Sequence, residues 1–522
     1  MSITTVPFAR SHYSCFLPGL LALACVSLAS CNRPHTSEGE KLARTYCAAC
    51  HAFPEPQLLD KKTWQVGVLP EMAKRLVRTN SLFDETSRSP YMAVLPNAVS
   101  NEDWAKIVGY YREHAPDSLP YQSLPAQPQI DPAFFKTGPF APRMQSSAVI
   151  TLLKTDTIHD RIFVGEAGSN TLRIFDFNRR LISSRTLGSP PTDLIVDGDS
   201  VLVLESGILD PNDQAKGTLV KYEFAGADSL RSPRILIDSL LRPVFVQQFD
   251  FDKDGVNEFL ICEFGNNRGR LALYKYDGSR YKRQILDPSP GAIRFEIRDM
   301  TGDGAPDIVA LFAQGDERIV LFENDGRGNF SGRQRILARF PPVYGSMYFS
   351  MHDFNNDGNI DILYVNGDNF DYSRVLKPYH GVRILENDGK NNFHERYFFP
   401  VYGAARAEVA DFDKDGDLDI LITSNFADFE RHPERGIIYL ENTGRYQFRP
   451  YAFTIASGNQ WNLTATADLN KDGWLDVIIG AMDLGNIAKL QRRFSGQKLE
   501  TGSDPVLVFE NRMHAKSSDR LR

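Results

Sequence analysis

Two thiols and an imidazole stand together in Cys47-Ala48-Ala49-Cys50-His51. The spacing sets the thiols about one helical turn apart, with the imidazole directly after the second. This is the attachment pattern of a c-type haem, in which each thiol bonds a vinyl group and the histidine lies under the porphyrin as an iron ligand. Such a haem implies one-electron chemistry and export from the cytoplasm before the haem is joined. A thioether as sixth ligand raises the potential and keeps small molecules off the iron. Two methionines are placed for it: Met72, within Trp64-x-x-x-Val68-Leu69-Pro70-x-Met72, and Met92, in a loop before the next helix. A zinc site or redox dithiol is the other use of a Cys-x-x-Cys pair. The flanking elements described below favour haem.

A second chemistry recurs along the chain. Asp250-x-Asp252-x-Asp254-Gly255-x-x-Glu258 returns as Asp299-x-Thr301-x-Asp303-Gly304-x-x-Asp307 and Asp353-x-Asn355-x-Asp357-Gly358-x-x-Asp361. It returns again as Asp411-x-Asp413-x-Asp415-Gly416-x-x-Asp419 and Asp468-x-Asn470-x-Asp472-Gly473-x-x-Asp476. Oxygens at positions one, three, five and nine converge on one hard cation if the chain turns sharply, which the glycine permits, and position seven adds a backbone carbonyl. Up to five Ca2+ ions are therefore expected. Thr301 weakens the second loop and Glu258 alters the first. A helix on each side would make these EF-hands, but runs such as Ile420-Leu421-Ile422-Thr423 follow instead and read as strands.

The elements that must position these groups follow from the rest of the chain. At 522 residues two or three domains are expected. The net charge of −7 offers no reason to expect nucleic acid as a partner. Arg10 and His12 precede an apolar run over residues 16–28 that ends in Leu28-Ala29-Ser30-Cys31. That order reads as a secretory signal over residues 1–30, too short to span a bilayer. Residues 32–118 open with a capping box, Ser37-Glu38-Gly39-Glu40, on a helix that runs into the haem motif. A second helix starts at Ser100-x-x-Asp103 and carries Trp104, Ile107, Val108 and Tyr111 on one face. Residues 119–143 recur in proline and read as an extended linker, with Phe134, Phe135 and Phe140 docking on the next domain. Of six cysteines, Cys262 stands alone in the C-terminal part, within an apolar strand, and reads as an inert core thiol.

The acidic loops start 49, 54, 58 and 57 residues apart, which means a repeat architecture close to propeller blades. They resemble the calcium-binding FG-GAP or VCBS repeats of β-propellers. Apolar runs near residues 148–164 and 194–204 add two blades without the loop, so residues 144–512 are expected to form seven blades. Residues 32–118 resemble small cytochromes c. The stretch around Met72 is similar to one in lipid-anchored cytochromes joined to repeat domains, and Leu28-Ala29-Ser30-Cys31 resembles the bacterial lipobox, with Cys31 acylated. These resemblances imply a small all-α cytochrome c-like domain followed by an all-β propeller, with one covalent haem c, anchored on a cell-envelope membrane. The expected role is electron transfer with a docked redox protein. One alternative is a dehydrogenase whose propeller oxidises a small organic substrate and reduces the haem. A binding or adhesion module is the other. For the substrate role the long loops of the last three blades are expected to open on one face with Tyr379, His380, Arg431, His432, Arg435, Arg492 and Arg493.

Overall fold

The run after each acidic loop is six residues long, rich in β-branched and apolar side chains, with no polar alternation. Such a run must be covered on both faces. The computed structural model describes residues 36–76, 99–141, 149–225, 229–330, 332, 334–368, 375–457, 459–482 and 504–513. In it these runs are the strands Glu258–Glu263, Asp307–Phe312, Asp361–Asn366, Asp419–Ser424 and Asp476–Ala481, and every residue of all five is buried. Each is the second strand of an antiparallel sheet, with the acidic loop joining it to the first.

Seven sheets, taken as blades one to seven in chain order, begin at the strands Ile150–Asp156, Pro191–Asp197, Pro243–Phe249, Ala292–Arg298, Ser346–His352, Ala404–Ala410 and Trp461–Ala467. Each of these first strands lies against the first strand of the next blade, and the seventh lies against the first. The core is divided in the same way. Seven apolar clusters each draw from two neighbouring blades; the cluster between blades seven and one joins Ile478 and Val508 to Ile162 and Val164. The ring is a closed seven-bladed β-propeller. Cys262 lies wholly buried in the cluster between blades three and four.

Closure is made by the stretch read above as linker. Phe135–Pro139 is the outermost strand of blade seven, antiparallel to Val506–Asn511, and Gln129–Ile130 adds a parallel strand to the edge of blade six. Proline density hid these strands, because an edge position leaves one side of the backbone in solvent and tolerates a missing N–H. Phe134 and Phe135 insert into the cluster between blades six and seven, where Phe135 meets Tyr439, Phe412, Phe453 and Phe509 with ring centroids 5.4–6.3 Å away. Asp131 fixes the approach: its carboxylate accepts from Thr454 N at 2.9 Å and Thr454 Oγ1 at 2.6 Å.

The N-terminal helices are α1 (Glu38–Cys47), α2 (Lys61–Thr63), α3 (Leu69–Leu76) and α4 (Asn101–His114), with a π-helical turn Trp64–Val68 between α2 and α3. Helices α1 and α4 cross closely at Gly39, where a Cβ would sit 2.4 Å from the carbonyl oxygen of Lys106. Ser100 caps α4 by accepting from Asp103 N at 3.0 Å. Trp64 and Tyr111 centre the small core. The indole N–H donates to Pro56 O and the phenol to Pro54 O, both at 2.8 Å. Val343 of the propeller belongs to the same cluster. No helix among the described residues is long and apolar enough to cross a membrane. The expected leader, Cys31, Met92, Arg492 and Arg493 lie outside the described residues.

Truncating a wholly packed phenylalanine removes its transfer energy and leaves a cavity, about 3–5 kcal/mol together. Phe135→Ala is expected to destabilise the propeller by that amount in urea unfolding. A loss below about 1 kcal/mol would show that the ring does not depend on this strand.

Candidate functional site

Helix α1 ends at Cys47, and the next turn carries Cys50 and His51. Cys47 is buried beside Tyr111, and burial pushes its thiol up to about 11; burial also raises Cys50. His51 Nδ1 donates to Ala52 O at 2.9 Å, which leaves Nε2 as the lone-pair nitrogen. Burial lowers the histidine pKa and so favours the neutral imidazole. The π-helical turn hands the chain to α3, and Met72 lies on that helix. Cys47, Cys50, His51 and Met72 all line one cavity of about 380 Å3, together with Trp64 and Tyr111.

The far wall of this cavity belongs to the propeller. Phe264, Pro290, Gln314, Asp316 and Val343 line it from connections at the end of the blades opposite the acidic loops, and Met347 from the start of the first strand of blade five. Arg75, one turn past Met72, donates to Asn267 Oδ1 of blade three at 3.3 Å. Arg339 of blade four donates to the Cys50 carbonyl at 3.2 Å and to Asp316 Oδ1 at 2.6 Å. Asp316 also accepts from Arg318 at 3.2 Å, and Arg318 pairs with Asp287 at 2.8 Å. Nothing in the local sequence marks Arg75, Arg339 or Asp287, since their partners are distant in the chain. Glu317, buried among them, accepts from Gly345 N, Ser346 N and Ser346 Oγ at 3.1, 2.8 and 2.5 Å.

The acidic loops share one construction. The first-position carboxylate receives the backbone N–H of the glycine in all five, as in Gly255 N to Asp250 at 2.9 Å and Gly473 N to Asp468 at 2.8 Å. The glycines take φ from +81° to +98°. Position four is left-handed too, occupied by Lys253, Gly302, Asn356, Lys414 and Lys471, a requirement that sequence reasoning missed. The ninth residue opens the second strand and is buried in every loop. One oxygen of Asp307, Asp361, Asp419 and Asp476 receives the N–H of an asparagine at the end of the third strand: Asn324, Asn387, Asn442 and Asn511, at 2.8–2.9 Å.

The loops differ in charge. Asp411, Asp413 and Asp419 bring ligand oxygens within 4.8 Å of one another. Burial, with added repulsion from neighbouring carboxylates, lifts Asp413 to about 6 and Asp419 to about 7. Asp250, Asp252 and Asp254 also converge, but here Lys275 places its ammonium 2.6 Å from Asp252 and 3.9 Å from Glu258. Lys275 already neutralises part of the first loop. The second, third and fifth loops carry Thr301, Asn355 and Asn470 at position three and so converge fewer carboxylates.

Among the residues expected on an open long-loop face, His380, Arg431 and Arg435 hold residues 121–127 of the chain itself. Tyr121 donates to Asp428 at 2.7 Å and lies under the Arg431 guanidinium. Gln122 receives the Tyr402 hydroxyl as partner of its backbone N–H at 2.6 Å and donates to His380 O at 2.8 Å. Arg435 donates to Gln127 at 3.2 Å, Tyr379 donates to Val343 O at 3.1 Å, and His432 pairs with Glu434 at 3.2 Å.

The FG-GAP-like repeat family matches residues 250–310 and 299–364, which contain the first three acidic loops. No curated protein gives a significant match. Among solved structures, the Dos1 propeller is 11% identical and covers 69% of this chain and 76% of its own, with a TM-score of 0.39. A functionally unknown protein from Desulfotomaculum acetoxidans DSM 771 is 14% identical and covers 62% of this chain and 89% of its own, again with a TM-score of 0.39. Likeness at that level carries no inference about activity.

Burial raises Glu317 from 4.5 to about 7. The folded state therefore holds a proton that the unfolded state releases, so this contribution to stability is complete below about pH 4.5 and is lost as pH rises through 7. Relative to Glu317→Gln, the wild type is expected to lose up to roughly 3 kcal/mol across that window in paired urea titrations. A pH-independent difference would place the Glu317 proton elsewhere.

Proposed function

We propose that this chain is an envelope-anchored c-type haem protein that exchanges electrons with a docked redox protein, on a calcium-stabilised propeller. The observation that supports it is the meeting of Cys47, Cys50, His51 and Met72 on one cavity. That donor set suits haem c: Cys47 and Cys50 would hold it covalently, and His51 and Met72 would offer an imidazole and a thioether to its iron. A haem bound there supplies one-electron chemistry at iron. The protein's part is to position and to shield. Cys47 and Cys50 anchor the group through α1 and its following turn, and the Ala52 carbonyl orients His51. Trp64, Tyr111 and the propeller wall exclude water from the cavity, which widens the range over which neighbouring charges act. A haem held by His51 and Met72 together would leave no room for substrate at the iron, and its chemistry would be electron relay.

The full-length protein, expressed with a haem-attachment system and taken from membranes, is expected to carry one covalent haem by intact mass, with its N-terminus a lipid-modified Cys31. Zinc in place of haem would sink the relay reading, and an unmodified N-terminus the anchor. Met72→Ala is expected to abolish the sulfur-to-iron absorption band while Met92→Ala leaves it; the opposite pattern would exchange the two ligands.

For the acidic loops, the fourth fits a calcium ion best, since its carboxylates repel one another without a cation. A ligand bound only by the native state at a hundred times its Kd adds about 2.7 kcal/mol. EDTA is therefore expected to lower the melting temperature, and Asp413→Asn to reproduce much of that fall in calcium buffer while adding little in EDTA. A melting temperature indifferent to chelation, in protein shown to be metal-free, would overturn the calcium reading.

A further inference from the structure

Blade four reaches the haem motif through one side chain. Arg339 holds the Cys50 carbonyl at 3.2 Å, and Asp316 holds Arg339 at 2.6 Å while lining the same cavity as His51. The pair belongs to a chain of alternating charges, Arg339, Asp316, Arg318 and Asp287, with Ser289 donating to Asp287 and accepting from Arg318. Arg318 and Asp287 are nearly buried, Asp316 keeps 17% of its side-chain exposure and Arg339 38%, so water screens the inner end of this row least and Arg339 most.

Resting on the haem reading above, we propose that the Asp316–Arg339 pair of the propeller sets the reduction potential of the iron held by His51. Iron gains an electron on reduction, so a nearby cation favours the reduced state and a nearby anion the oxidised one. Neither residue touches the iron; both act as positioning and charge-setting residues through the Cys50–His51 turn. The two charges oppose one another, so each holds the potential against the pull of the other.

The test is an optical redox titration of the full-length haem protein and its variants. Arg339→Gln is expected to lower the midpoint potential and Asp316→Asn to raise it, with the double variant returning close to wild type. Arg339→Lys keeps the charge and is expected to restore most of the shift even if its grip on the carbonyl weakens. Shifts of the same sign in both single variants, or no shift in either, would leave the pair a purely structural clasp and overturn the proposal. Wild-type protein without covalent haem would overturn the haem reading first and this inference with it, and the absorption spectrum tells that case from the others.

Discussion

The pairing of Phe135–Pro139 with Val506–Asn511 is the contact on which the rest of the molecule depends. A ring of blades has no reason to stay closed unless its last sheet is completed, and the strand that completes it comes from the far end of the chain. Joining segments so distant carries a large loop entropy, which local turns do not offset. The aromatic cluster around Phe134 and Phe135 offsets it by burial, and Asp131 sets the register of entry. The same segment begins directly after the helices, so closing the ring also fixes where they emerge.

That placement explains the arrangement of the second face. Residues 119–131 leave the helices, cross blades five and six with Tyr121 and Gln122 as pegs, and turn down the edge of blade six. The helices themselves lie over connections of blades three to five, where the cavity forms. The acidic loops occupy the other face throughout. Charge-dense turns and the apolar cavity are thereby kept at opposite ends of the strands.

What the sequence revealed was local, and what it concealed was not. Cys47 to His51 and the five loops are short patterns whose meaning depends on neighbours a few residues away. The blade count followed from the five loops together with two apolar stretches that lack the loop, because buried strands show themselves in their composition. Lys275 beside Asp252, Asp316 beside Arg339, and Arg339 on Cys50 join residues 23, 23 and 289 positions apart. No periodicity announces such contacts. Tyr379, His380 and Arg431 looked like a binding rim for the same reason: their partners, Val343, Gln122 and Tyr121, come from other parts of the fold. The two short strands at residues 129–139 escaped notice because proline content speaks against strands in general but not against an outermost one.

One strand, Asp307–Phe312, runs from an acidic loop toward the cavity. Its first residue closes the second acidic loop, and the turn after its last residue leads to Asp316 on the cavity wall. Six residues of extended chain measure about 20 Å, and every one of them is buried. The loop at the start of this strand and the turn at its end therefore share one rigid support, packed on both faces by neighbouring blades.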